Sequence, residues 1–271
     1  MVTRFLLLAA LLGGCGLNDA SSVDHPATVL FPDVGQGQAT VVSSGGKCIL
    51  IDAGPASISP DWIARLPCTN LEAILVTHWD LDHRGGLDAV FARLPVGTLL
   101  HGHLPEEDSV RTRMDDFCRL TTNGCKAVLP GQNLPYLPGA AWTVLATGPD
   151  SLPDGNETSV VSRISDRHGS LLIAGDLDSL GEQALAATHG GSLHSDLLLL
   201  SHHGSAGSNS LAWLGAVRPS LAIAQAGRNN RYGHPAQATL DRLQALGIPT
   251  WITSDLGGLQ TTLGGSSRTP F

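Results

Sequence analysis

The densest chemistry in the chain is His78-x-Asp80-x-Asp82-His83, where two imidazoles and two carboxylates fall within six residues directly behind the apolar run 71–76. Crowding such groups at the end of a buried strand is costly unless a cation compensates them. Carboxylates and neutral imidazoles are the ligands that Zn²⁺ and Mn²⁺ accept. Residues 73–76 (Ala-Ile-Leu-Val) read as the strand, and Gly85-Gly86 lets the backbone turn closely around a ligand before a helix begins. The plainer reading makes Asp80 and Asp82 helix N-caps and leaves His78 and His83 on the surface.

The elements that must position these groups follow from pattern. Stretches 28–34, 38–43 and 47–52 read as three strands separated by glycine turns, and 96–100, 141–147, 170–176 and 195–200 as later ones. Helices are expected over 87–94, 106–120, 180–188 and 236–246, with an irregular Pro-rich segment at 131–139. The 271 residues are 42% hydrophobic with 32 glycines and few aromatics, which suits a sheet-rich α/β protein better than a helical bundle. The run 195–200 ends in Ser201-His202-His203-Gly204-Ser205. Adjacent histidines at a strand end point in different directions, so one is expected to bind metal. His202 is taken as the ligand and His203 as a neighbour that positions substrate or shuttles a proton, with the reverse order open. Ser205 is expected to cap the next helix. The pair His101-x-His103 lacks a nearby carboxylate and is expected at a pocket wall or in solvent.

The central motif resembles the His-x-His-x-Asp-His signature of the metallo-β-lactamase superfamily, with Asp80 in place of the second histidine. It is most similar to the branch typified by the hydrolase domain of the competence protein ComEC. Asp33-Val-Gly-Gln-Gly-Gln38-Ala39 resembles that branch's Asp-Val-Gly-Gln-Gly-Asp-Ala motif, with Gln38 where the family has Asp. Residues 49–55 resemble the superfamily's first motif, in which Asp52 would support the metal loop through hydrogen bonds. Asn156 falls in a segment resembling Asn-x-x-Ser-Leu-Val, Asp176 at the bridging-carboxylate position, and His234 in an Arg-Tyr-Gly-His-Pro segment that would face the same cleft. The resemblance covers nearly all of residues 28–262. It implies an αββα sandwich of two mixed β-sheets flanked by helices, with the site along one edge. It also implies two divalent ions, Zn or Mn, with His78, Asp80 and His202 around one, Asp82 and His83 around the other, and Asp176 bridging. The further histidine that most members supply is not evident, since His168 lies in a turn at the far end of a strand, so Asn156 or a water would take its place. Two ions about 3.5–4 Å apart can hold a hydroxide and stabilise charge on the attacked centre, so hydrolysis is expected.

The resemblance points to phosphodiester substrates, in a small molecule or in nucleic acid. A β-lactam is disfavoured because Asp80 replaces a histidine, and the rival of another class is a surface lipoprotein that keeps the fold only for binding. The formal net charge of −8 and the lack of any Lys/Arg run provide no long-range attraction for a polyanion. Arg4, the apolar run 5–12 and Leu12-Gly-Gly-Cys15 resemble a bacterial lipoprotein signal. Residues 1–14 are thus expected to be removed, Cys15 lipidated, 15–26 a tether and 27–271 the hydrolase domain. That domain would be exported and held in the outer membrane, periplasm or cell surface by its lipid alone. The four remaining cysteines then suggest two disulfides. Cys118 and Cys125 flank a short loop and are paired, which leaves Cys48 with Cys68.

Overall fold

The computed structural model describes residues 25–57, 59–148, 156–265 and 267–271. The expected signal segment and Cys15 lie outside them. The chain runs through β1 (Thr28–Phe31), β2 (Ala39–Ser44), β3 (Lys47–Ala53), β4 (Leu71–Val76), β5 (Val96–His101) and β6 (Cys125–Ala127). It continues through β7 (Ala141–Ala146), β8 (Val161–Ser165), β9 (Ser170–Ile173), β10 (Leu197–Leu199), β11 (Leu221–Ala224) and β12 (Thr250–Ile252) to β13 (Leu259–Thr262) and β14 (Arg268–Pro270). Two mixed sheets result, ordered β14-β13-β1-β2-β3-β4-β5-β6 and β12-β11-β10-β9-β8-β7.

Period-two alternation sorts each strand between two cores. In β3, Ile49 and Ile51 join Trp142, Ile173 and Leu199 between the sheets, whereas Leu50 faces outward. After the short α1 (Leu81–Arg84), outward residues of the first sheet pack on α2 (Leu87–Phe91) and α3 (Asp108–Leu120), through Leu87, Val90, Val110, Met114 and Phe117. Leu172, Leu198 and Ala222 of the second sheet share a core with Leu185 of α4 (Ser179–His189), Trp213 and Leu214 of α5 (Leu211–Val217) and Leu243 of α6 (Gln237–Ala245). A last turn, α7 (Thr253–Leu256), precedes β13. The expected αββα sandwich is the architecture found.

Several boundaries differ from the sequence reading for local reasons. β1 stops at Phe31 because Pro32 has no N–H for the ladder. α3 begins at Asp108, after Pro105. Cys48 is bonded to Cys68 and Cys118 to Cys125, the latter tying the end of α3 to β6. Parallel registers put functional strand ends in line: Ile51 lies beside Leu75, and Leu197 beside both Leu171 and Leu221. The segments after β3, β4, β9, β10 and β11 therefore emerge along one edge.

Candidate metal centre

The segment after β4 is held from beneath by Asp52. This side chain is fully buried, at φ +56, and accepts from Thr77 N (2.8 Å), Thr77 Oγ1 (2.7 Å), Gln38 Nε2 (2.8 Å) and His83 Nδ1 (2.7 Å). Asp52 thus ties Thr77, His83 and Gln38 together beneath this segment. Gln38 is buried against Asp52 and donates its N–H to the Asp82 carbonyl (3.0 Å), so its replacement of Asp bears on the scaffold rather than on substrate. Gly86 is required at its position, since a Cβ there would stand 2.1 Å from the Ala53 carbonyl oxygen. Asp80 occupies the position before α1 but makes no side-chain cap bond. Asp33 is exposed and accepts from Gly35 N (3.1 Å), a turn-capping contact away from the cluster.

Asp176 is the hub. Its Oδ1 lies 3.0 Å from His83 Nε2, and its Oδ2 lies 3.9 Å from His78 Nε2, 3.6 Å from His202 Nε2 and 3.6 Å from His203 Nε2. Capping of α4 falls instead to Asp178, which accepts from Leu180 N and Gly181 N. Asp82 Oδ2 is 3.3 Å from His203 Nε2, and Asp80 Oδ2 is 3.8 Å from His78 Nε2. Two sets of side chains are close enough to hold a cation: His78, His83 and Asp176, and Asp82, His83 and His203.

The histidine pair differs in depth from the sequence expectation. His203, expected as a substrate-side neighbour, is buried among the acidic groups, with Nδ1 3.0 Å from the Gln225 carbonyl oxygen. His202, expected as the ligand, keeps 31% of its side chain exposed and meets Asn156, whose Nδ2 is 3.2 Å from His202 Nδ1. The cause is backbone conformation: His202 (φ 51°, ψ 46°) and His203 (φ 55°, ψ 20°) are both left-handed, at about 1–2 kcal/mol each for L-residues. His234 stands at the rim, its ring centroid 5.4 Å from that of His202, and Tyr232 stacks on it. His101 hydrogen-bonds the Gly102 carbonyl, and neither it nor His103 joins either set. Ser205 accepts from Gly207 N within the turn, and α5 is capped by Ser210.

Burial and charge act unequally on these groups. Burial, reinforced by His83, pushes His78 down to about 4, and burial with His202 and His203 does the same to His234. Complete burial also pulls His83 down, but Asp176 and Asp52 at its two nitrogens outweigh it and hold the ring well above the usual range. Burial raises Asp176, yet His83 and His203 outweigh that and hold its carboxyl well below the usual range. Asp80 is raised by burial and by Asp82.

Three buried residues that the sequence reading missed brace this edge. Asn209 (φ 58°) accepts from Ser201 N (3.0 Å) and donates to Ser201 O (2.9 Å), and Glu182 accepts from Asn209 N and Ser210 N. The Gln225 side chain ties the second sheet to the first through Pro32 O, Ala39 O and Ala39 N. Only an Asn in a left-handed turn carries any sequence signal. Asn209→Ala is expected to cost about 3 kcal/mol, because two backbone groups of Ser201 lose their partners at a strained site. It should also weaken metal binding by about 10–100-fold without touching a ligand. Urea unfolding and metal titration check the two effects.

Residues 32–117 match the Metallo-beta-lactamase superfamily. The chain is 31% identical over 247 residues to competence protein ComA of Neisseria gonorrhoeae, covering 89% of this chain and 33% of that relative. It therefore spans about a third of the relative's length. Zn²⁺-bound PqqB from Methylobacterium extorquens is similar with a TM-score of 0.58 at 15% identity, over 87% of this chain and 100% of that one. A diphosphatase of the PhnP family is similar with a TM-score of 0.55 at 16% identity, over 86% and 96% of the respective chains. At these identities the two structures speak for the fold alone.

Proposed function

The chain belongs to the metallo-β-lactamase superfamily, and from that premise we propose that it is an exported, lipid-anchored hydrolase that uses two divalent metal ions to cleave phosphodiester-type bonds. The observation that carries the reading is a set of unsatisfied atoms. His78 Nε2 and His203 Nε2 are buried with no hydrogen-bond partner among the described residues, and His83 Nε2 and Asp176 Oδ1 have only each other at 3.0 Å, within the two sets close enough to hold a cation. Orphaned buried polar atoms are costly, and two such nitrogens beside a buried carboxylate and a third imidazole fit cation ligands. His78, Asp80 and Asp176 would hold one ion, and Asp82, His83 and His203 the other, with Asp176 shared. Bound ions would supply an activated water and stabilise charge on the attacked centre. Three carboxylates with three imidazoles suit manganese as well as zinc.

A diester needs room for a substituent on each side of the attacked atom. Two clefts of about 590 and 410 Å³ meet at Leu81, Asp82 and Tyr232, one carrying Arg231 and the other Arg84. These local guanidiniums are suited to the anionic ester of a small molecule or of a nucleic-acid strand, and the net charge of −8 leaves recognition to them. Two disulfides suit an oxidising compartment. No helix among the described residues is long and apolar enough to cross a membrane. The lipid anchor is proposed from the resemblance of residues 4–15 to a lipoprotein signal. The test is hydrolysis of bis(p-nitrophenyl) phosphate by the soluble form that starts after Cys15. Turnover should vanish on chelation and return with Mn²⁺ or Zn²⁺. Turnover indifferent to chelator, or none with either metal, would contradict the reading.

A further inference from the structure

The clustered histidines divide by which ring nitrogen carries the proton. A neutral imidazole that binds a metal does so through a lone pair, so its proton sits on the other nitrogen, facing an acceptor. His83 Nδ1 faces the Asp52 carboxylate at 2.7 Å, and His203 Nδ1 faces the Gln225 carbonyl at 3.0 Å; both partners can only accept. His78 Nδ1 lies 3.2 Å from Thr77 Oγ1, whose own hydrogen is committed to Asp52 Oδ2 at 2.7 Å. All three rings thus donate from Nδ1 and turn a buried Nε2 inward, that of His83 against Asp176 Oδ1 at 3.0 Å and those of His78 and His203 without a hydrogen-bond partner.

His202 is wired the opposite way. Its Nδ1 faces Asn156 Nδ2, an amide nitrogen that can only donate, so Nδ1 accepts and the ring proton sits on Nε2. That N–H lies at the mouth of the cluster, 3.6 Å from Asp176 Oδ2, on the one ring of the four that solvent reaches. We propose that His202 is a substrate-facing hydrogen-bond donor oriented by Asn156, and that His203 is the ligand of the pair. The proposal rests on the hydrolase reading above. His202 Nε2–H would donate to a non-bridging oxygen of the ester as charge builds there, with no proton leaving the ring. His78, Asp80, Asp176, Asp82, His83 and His203 already give each ion at least three protein ligands, so no set is left incomplete without it.

Elemental analysis and kinetics of variants separate the roles. His202→Ala should keep about two metals per chain while kcat on bis(p-nitrophenyl) phosphate falls about 10²-fold; His203→Ala should lose at least one metal. Asn156→Asp replaces the donor with an acceptor. It should move the His202 proton to Nδ1 and lower kcat to a similar extent without metal loss. Long-range ¹H–¹⁵N spectra of the zinc-loaded wild type should show His202 protonated at Nε2. Loss of a metal in His202→Ala would overturn the proposal. So would an Nδ1-protonated His202 in wild type, the state expected if the Asn156 amide presented its oxygen to the ring. Wild type with neither metal nor turnover would defeat the hydrolase reading itself, and this role with it.

Discussion

Asp176→Asn is expected to lower turnover about 10³-fold, equivalent to about 4 kcal/mol of transition-state stabilisation, while the protein stays folded. Asp176 lies within 4 Å of four imidazole nitrogens, those of His78, His83, His202 and His203. Asparagine keeps its shape but removes the negative charge and turns an NH₂ group toward bare nitrogens. A shared ion position should be lost, and metal content should fall from about two equivalents to one or fewer. Folding should survive because no cavity is made and the new N–H groups can donate to the unpartnered Nε2 of His78 or His203. Circular dichroism, elemental analysis and initial rates on bis(p-nitrophenyl) phosphate check the three statements. Turnover within tenfold of wild type would be incompatible with a role for Asp176 at the centre of the site.

Asp52→Asn is expected to act first on stability and then on metal. Asparagine tolerates the left-handed backbone at this position, so conformation is not the cause. The cost is in donors: both carboxylate oxygens accept, one from Thr77 N and the other from Thr77 Oγ1, Gln38 and His83. Whichever way an amide is turned, its NH₂ meets an N–H or O–H in a fully buried site. A loss of about 3 kcal/mol follows, and with it a fall in Tm of about 6–12 °C. The His83 ring loses the acceptor that keeps its Nε2 bare, so metal affinity should fall about 10–100-fold. Asp33→Ala is the matched control. Its side chain is exposed and caps only a turn, so stability should move by no more than about 0.5 kcal/mol. Equal effects of the two substitutions would contradict the scaffold described for Asp52.

What was legible in the sequence depended on whether one residue's type or a local pattern carried the information. His78, Asp80, Asp82 and His83 stood out because four such groups behind an apolar strand are costly to crowd together without a cation. Asp176 stood out through the resemblance that puts it at the bridging-carboxylate position. The two disulfides were legible because Cys118 and Cys125 are seven residues apart, leaving one partner each for Cys48 and Cys68. The relative depth of His202 and His203 was not legible. It is set by two successive left-handed residues that follow Ser201, which Asn209 holds and Glu182 braces in turn, and no periodicity announces such a turn. Gln38 and Gln225 act through buried side-chain bonds across the fold, and a glutamine at a strand end has no distinguishing local pattern. The three-residue strands β6, β12 and β14 are too short to show alternation and exist because longer neighbours offer them a ladder.

The central claim is that the converging bare nitrogens and carboxylates are a metal site. Elemental analysis of the purified soluble form, starting after Cys15 and dialysed free of loose ions, tests it most directly. Close to two equivalents of manganese or zinc per chain are expected, falling to one or fewer in Asp176→Asn. A folded protein that carries no divalent metal, and takes up none when Mn²⁺ or Zn²⁺ is added, would contradict it.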